Sequence, residues 1–277
     1  MTDTLAADDR STRTDALGTV HPPAHADARI VSLVPSITEL LFDLELGAQV
    51  VGRTGFCIHP REALRDVPKV GGTKDVDLDR LRALAPTHVI VNIDENRREQ
   101  VAAMREFVPH VIVTHPNAPE DNAALYRLVG ALFDRAAAAE ALCAALDAEL
   151  AQCAPLRAQL APERVLYLCW RAPWMSVASD TYIARTLAAV GWQVLHGPGG
   201  HAGAARYPQV DLDACVPQVE RVLLSSEPFP FTARHVEELA ARFPRVAVQL
   251  IDAEMTSWYG SRAVAGLHYL RALRGSA

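Results

Sequence analysis

The sequence predicts an α/β protein: two Rossmann-like lobes with parallel sheets, joined by one long backbone helix. Three observations lead there. Short β-branched runs alternate with helical patterns from residue 29 onward. The two halves share a partial repeat about 135 residues apart. Between them lies a helical stretch of about 34 residues, too long for one lobe to contain.

Taken in chain order, residues 1–28 are polar and acidic and read as a disordered leader. The first lobe is assigned to 29–118. Its candidate buried strands are RIVSLV (29–34), QVVG (49–52), HVIV (88–91) and HVIV (110–113). ITELLFDLEL (37–46) and LDRLRALA (78–85) read as helices, and RREQ at 97–100 as a solvated helix start. Ser36 and Glu39 form an S-x-x-E pair ahead of an apolar helix, a capping box. The connecting helix is assigned to 119–161. Leu125, Leu128 and Leu132 fall at helical spacing, as do Leu142, Leu146 and Leu150. Alanines 136–139 favour a helix, and Pro155 is its first serious interruption. At 1.5 Å per residue the rod would be about 50 Å long. The second lobe, 162–277, repeats the scheme. Its strands are RVLYLCW (164–170), WQVL (192–195), RVLLSS (221–226) and RVAVQLI (245–251). Helices are expected at 181–190, 233–243 and 261–273.

The repeat sets VDLDRLRALAPTHVIV (76–91) over VDLDACVPQVERVLLS (210–225), and FVPHVIV (107–113) over RFPRVAV (242–248) after a one-residue slip. Composition narrows the function classes. Half the 277 residues are apolar, mean hydropathy is +0.06 and the net charge is -6. No basic patch stands out, which argues against nucleic acid. No stretch reaches the roughly 20 apolar residues of a membrane span. The cysteines at 57, 143, 153, 169 and 215 are odd in number and lack a CxxC, as suits reduced thiols. Without an export signal, the chain reads as cytoplasmic.

Ligands of open parallel sheets sit beyond the carboxyl ends of the strands. The residues to inspect are therefore Pro35-Ser36, Phe56 to His59, Asn92 to Glu95, Trp170 to Met175, Ser226 to Phe231 and Glu254 to Tyr259. Twelve of the seventeen aromatic residues fall after position 163. Six of them (Trp170, Trp174, Phe229, Phe231, Trp258 and Tyr259) lie in these loops and favour an aromatic wall for a large flat ligand. In TGFCIHP (54–60), Cys57 and His59 allow three readings: a metal-ligand pair, a nucleophile with its base, or a pocket rim. A structural zinc needs about four ligands, and a catalytic dyad needs an orienting third group. Neither complement is visible nearby, so the rim is preferred, and His59 as axial ligand of a bound chelate comes second. Gly71-Gly72 lacks the spacing of a phosphate loop.

RIVSLVPSITELLFDLELGAQVVGRTGFCIHP, followed by VPKVGGTKDVDLDRLRALAPTHVIV, resembles the opening of the vitamin B12 and iron-siderophore binding proteins, the helical-backbone solute receptors of ABC importers. The likeness covers roughly 29–274. It implies a class III periplasmic-binding-protein-like fold and a cleft that holds a corrinoid or ferric chelate. The matching contact loops are Pro35-Ser36, Phe56 to His59, Gly72-Thr73-Lys74, Trp170 to Trp174 (with Arg171) and Trp258 to Arg262. Importers of this family recognise one acid on each lobe. The first-lobe position departs from the Leu-Glu-Arg/Lys-Ile of many relatives and reads Leu78-Asp79-Arg80-Leu81 here, with Glu237 or Glu238 as the candidate on the second lobe. The family is usually exported to the periplasm.

The resulting expectation is a monomeric, non-catalytic binding protein with no intrinsic cofactor that takes a cobalamin-like corrinoid, with an ABC importer permease as possible partner. Trp170, Trp174, Trp258 and Tyr259 would supply apolar area. Asn92, Asp94, Ser226, Glu227 and Arg262 would hydrogen-bond ligand amides, and Lys74 would offer a cation. The alternatives are a ferric siderophore or haem in the same cleft, a hydrolase using Cys57 or Ser226, and a regulatory module that closes on a partner.

Overall fold

Valine- and isoleucine-rich runs with both faces covered fold as parallel strands, as the sequence predicts. The computed structural model describes residues 11–195 and 205–275. Two units divide them. The first takes the described residues through Pro116, with Asp121–Ala145 and Tyr259–Arg262. The second takes Asn117–Glu120, Leu146–Trp258 and the described residues from Ala263. The main boundary between the units falls between Ala145 and Leu146, inside the stretch assigned to the connecting helix.

In the first unit the described strands are β1 (Ile30–Ser32), β2 (Val50–Arg53), β3 (His88–Asn92) and β4 (His110–Thr114). They pair in parallel in the order β2-β1-β3-β4. Helices α1 (Pro35–Asp43), α2 (Leu78–Ala83) and α3 (Arg98–Met104) connect them. Val31, Leu33, Val89, Val91, Val111 and Val113 form one core face with Leu81 and Met104. Among the strands of the second unit, β5 (Glu163–Leu168), β6 (Trp192–Val194), β7 (Arg221–Ser225) and β8 (Ala247–Ile251) take the order β6-β5-β7-β8, again all parallel. The sheets thus repeat one topology. The repeated Val-Asp-Leu-Asp has a local cause: Asp77 and Asp211 are both helix N-caps, accepting from the amides of Arg80 and Asp213.

Four expectations are corrected. The connecting rod is two helices, α4 (Asn122–Leu132) and α5 (Ala136–Gln159). Asp134 takes a left-handed φ of 56°, and the Arg135 amide closes back on Gly130 O at 2.7 Å, a Schellman ending that stops α4. Conversely Pro155 lies inside α5, where one hydrogen bond is forgone on an exposed stretch. The strand at 245–251 is half-exposed rather than buried, because β8 is the sheet edge; Leu250 is 41% exposed.

The fourth correction concerns the leader. Residues 11–28 are ordered along the edge of β4, whose backbone groups need partners. Ala16 N donates to Val113 O, and Val113 N donates to Asp15 Oδ2 at 3.2 Å. Asp15 also accepts from the amides of Leu17 and Thr19, and pairs with His21. Residues 1–10 of the expected leader lie outside the described residues.

This strap lies over a histidine cluster at the amino ends of β3 and β4. His88 and His110 are register partners whose rings stack at 4.8 Å, with His21 edge-on to His110 at 6.2 Å. All five cysteines are free and buried. Among the described residues no helix is long and apolar enough to cross a membrane.

Candidate functional site

At the carboxyl ends of the first unit's strands, a polar network joins four loops. Asn96 Oδ1 accepts from the Asn92 amide at 2.8 Å, while its Nδ2 donates to Thr73 O at 2.9 Å and Leu33 O at 3.4 Å. Asn92 Oδ1 accepts from the Asp94 amide at 2.8 Å, and Lys74 donates to Asp94 O. His115 lies 3.4 Å from the Asp94 carboxylate. Asn96 and His115 thus belong to this network although the sequence did not single them out. Lys74, expected to offer its charge to a ligand, spends a donor on this loop.

The Gly71–Asp75 turn permits this arrangement. Gly71 has a φ of 101°, and a Cβ there would meet Asp75 O at 2.5 Å. Phe56 lies against Gly72 and is 63% exposed; Ile58 and Ile93 beside these strand ends are 42% and 44% exposed. His59 is half-buried.

The expected capping box does not form. Pro35 occupies the first helical turn, so Val34 is the N-cap of α1 and Ser36 is buried inside the helix. Glu39 instead accepts two hydrogen bonds from Arg262, at 2.7 and 2.5 Å. The Tyr259–Arg262 segment is stitched throughout. Tyr259 donates to Glu95 at 2.6 Å, the Gly260 amide donates to Asn122 Oδ1 at 2.6 Å, and Tyr126 donates to Gly260 O at 2.8 Å. Burial, then the Glu95 carboxylate, push the Tyr259 phenol well above its ordinary range, so it stays a donor.

One further residue went unremarked in the sequence. Arg53, the last residue of β2, is 6% exposed. Its guanidinium donates to Thr54 O at 3.2 Å, Cys57 O at 3.0 Å and Leu64 O at 3.3 and 3.0 Å. The only signal was a charge closing an otherwise apolar strand.

The second unit carries aromatic rings at the carboxyl ends of β5 and β7. Trp170 packs edge-on to Phe229 at 5.9 Å, Trp174 stacks with Phe231 at 5.9 Å and 3°, and His235 meets both phenylalanines. Arg171 lies 5.3 Å over Trp174 and forms a two-pronged pair with Glu238 at 3.0 and 2.7 Å. Trp170 is 39% exposed, whereas Phe231 belongs to the core. Trp258 is also buried, its indole donating to Glu227 at 3.1 Å. The six loop aromatics therefore split: Trp170, Trp174 and Phe229 retain exposed surface, while Phe231, Trp258 and Tyr259 are interior.

The hydrolase alternative loses both nucleophiles. Cys57 is fully buried against Thr54 Oγ1 at 3.2 Å, and desolvation pushes its thiol up, away from the reactive thiolate. Ser226 Oγ accepts from the Ala253 amide at 2.9 Å, and among the described residues no histidine or carboxylate is bonded to it. Among the described residues no group of three or more His, Cys, Asp or Glu is placed to hold a metal ion.

Comparison with known proteins places the fold. A family profile described as periplasmic binding protein matches residues 30–214. The periplasmic vitamin B12 binding protein BtuF of Vibrio cholerae superposes with a TM-score of 0.74 at 16% identity, covering 90% of this chain and 96% of that one. The periplasmic heme-binding protein RhuT from Roseiflexus sp. RS-1 gives 0.74 at 23% identity, covering 90% and 98%. A periplasmic heme binding protein from Pseudomonas aeruginosa gives 0.74 at 19%, covering 90% and 93%. No curated protein sequence matches the chain.

Proposed function

The chain belongs to the periplasmic binding protein family, and on that premise we propose that it is a non-catalytic solute receptor of the ABC-importer type for a flat metal chelate, a cobalamin-like corrinoid. The observation that carries this reading is the aromatic group at the ends of β5 and β7, led by Trp170, Trp174 and Phe229. A ring surface of this kind suits a large planar ligand, each aromatic side chain offering up to about 150–250 Å². Phe56, Ile58 and Ile93 give the first unit's strand ends a matching apolar character. Asp94 in the first unit, and Ser226 and Glu227 in the second, follow strand ends and would serve as partners for ligand amides; Asn92, expected with them, is 3% exposed and its side chain is engaged by the Asp94 amide and Thr114.

Haem is the second reading. Two of the three structures named above are heme-binding proteins, and His59, half-buried in the loop after β2, is a competent axial ligand for iron or cobalt. An anionic ferric catecholate fits less well, since Arg171 and Arg262 are engaged by Glu238 and Glu39.

The test mixes purified protein with hydroxocobalamin, desalts it and measures retained colour. One equivalent retained supports the corrinoid. Retention of haemin or a ferric siderophore instead, in a parallel panel, replaces it with that ligand. Retention of none refutes the reading. His59→Ala then shifts the visible spectrum of the complex if the imidazole binds the metal, and leaves it unchanged if His59 is wall.

A further inference from the structure

We propose that Arg53 is the positioning residue of the loop between Thr54 and Leu64, and that its guanidinium determines which side chains of that loop a ligand meets. The ligand half of this statement rests on the function proposed above; the positioning half does not.

A buried arginine ordinarily faces a carboxylate, because an unneutralised cation is costly away from water. Among the described residues Arg53 forms no ion pair. All four of its hydrogen bonds end on main-chain carbonyl oxygens of one loop, at its start (Thr54), middle (Cys57) and end (Leu64). Other contacts inside the loop include short-range ones: the Phe56 amide donates to Thr54 Oγ1 at 3.3 Å, and Cys57 Sγ meets the same hydroxyl at 3.2 Å. Cys57 N reaches Thr54 O at a long 3.3 Å, and Leu64 N reaches Pro60 O at 3.1 Å. The planar fork of a guanidinium fixes three carbonyls in one geometry, which a flexible ammonium cannot do.

The consequence shows in the pattern of exposure. With Cys57 O drawn inward, Cys57 is fully buried and its neighbours Phe56 and Ile58 face out at 63% and 42%. Phe56 then rests against Gly72, where a Cβ would come within 3.3 Å of the ring. Arg53 thereby holds the loop's apolar presentation without reaching the surface itself.

Two measurements on the full chain test this. The first is amide hydrogen exchange of the ligand-free protein. Arg53→Lys keeps the charge but loses the fork, and exchange across 55–67 should rise at least about tenfold while β1, β3 and β4 hold their protection. Unchanged exchange in the loop overturns the proposal, as does equal acceleration throughout the first unit. If Arg53→Lys does not fold, wild-type exchange in dilute denaturant decides. If Arg53 holds the loop through its carbonyls, the amides of Cys57 and Leu64 open together with β2, whereas opening at lower denaturant than β2 overturns the proposal.

The second is a double-mutant cycle with Phe56→Ala, read as hydroxocobalamin or haemin affinity. Arg53→Lys should weaken binding about tenfold in the wild-type background and hardly at all beside Phe56→Ala. Additive losses refute action through the loop. If the wild type binds neither probe, the ligand reading fails, and the exchange result alone judges Arg53.

Discussion

Acid should weaken the first unit through His88, and the size of the effect follows from its surroundings. The ring is 4% exposed, stacked on His110 and edge-on to Phe133, with Nδ1 on Thr87 Oγ1 at 2.8 Å and Nε2 without a hydrogen-bond partner among the described residues. Burial first, then the neighbouring His110 and His21, lower its pKa from 6.5 to about 4. Burial also lowers His110, reinforced by His21. His25 and Asp27 line the same small cavity as His88 and His110, and Asp15 pairs with His21. The unfolded chain takes up the His88 proton near 6.5, the folded chain only near 4. Stability from this source is whole above pH 6.5, falls as the pH drops through that window and levels off below it. At about 1.4 kcal/mol per pH unit, the ceiling is roughly 3 kcal/mol.

Urea unfolding at pH 7.5, 6, 5 and 4.5, followed by hydrogen exchange on β3 and β4, reads it directly. All four tryptophans (Trp170, Trp174, Trp192 and Trp258) lie in the second unit, so their fluorescence reports the other half of the chain in the same samples. His88→Leu should flatten the acid slope of β3 and β4 by up to about 3 kcal/mol and leave the tryptophan transition in place. Asp43 acts with the opposite sign, since burial raises its carboxyl and folding then favours the proton; it is common to both proteins and cancels. An acid slope as steep in His88→Leu as in the wild type refutes the reasoning.

Three other outcomes follow from single contacts. Gly71→Ala must place a Cβ 2.5 Å from Asp75 O at a φ of 101°, and should cost at least about 2 kcal/mol in chemical denaturation. Asp15→Ala removes the acceptor for the amides of Leu17, Thr19 and Val113, so residues 11–28 should become protease-sensitive and stability should fall by about 1–3 kcal/mol. Burial raises the Asp15 pKa, but hydrogen bonds from His21 and from the amides of Thr19, Val113 and Leu17 outweigh it, so the carboxylate persists to low pH and its support is lost only as the pH falls below about 4. Trp170→Ala removes the exposed face of the aromatic group and should weaken hydroxocobalamin binding by about tenfold in a titration, matching about 1.4 kcal/mol of stacking and burial.

The features legible in the sequence are those set by short-range rules. Period, β-branching and the carboxyl-end rule located each described strand and the loops that follow it, because parallel strands must be apolar on both faces. The features that were missed depend on partners far along the chain. Glu39 reads locally as half of a capping box, and only Arg262, 223 residues away, claims it. Asp15 reads as part of a polar tail until the Val113 amide, 98 residues on, gives it a reason to be buried. Asp134 ends a helix in a left-handed conformation usually given to glycine, so no signal marked the break. The same division runs through the site. Sequence placed six aromatics after strands, but which of them stay exposed is settled by side-chain partners such as Glu227 for Trp258 and Glu95 for Tyr259. Arg53 is the extreme case. A strand-end arginine looks like a solvated charge, yet its three carbonyl acceptors turn it inward, beneath a loop whose exposed side chains are Phe56 and Ile58. On the proposal made for Arg53, the side chains that this loop presents are set by a guanidinium buried beneath them, a long-range arrangement that no local pattern in the sequence marks.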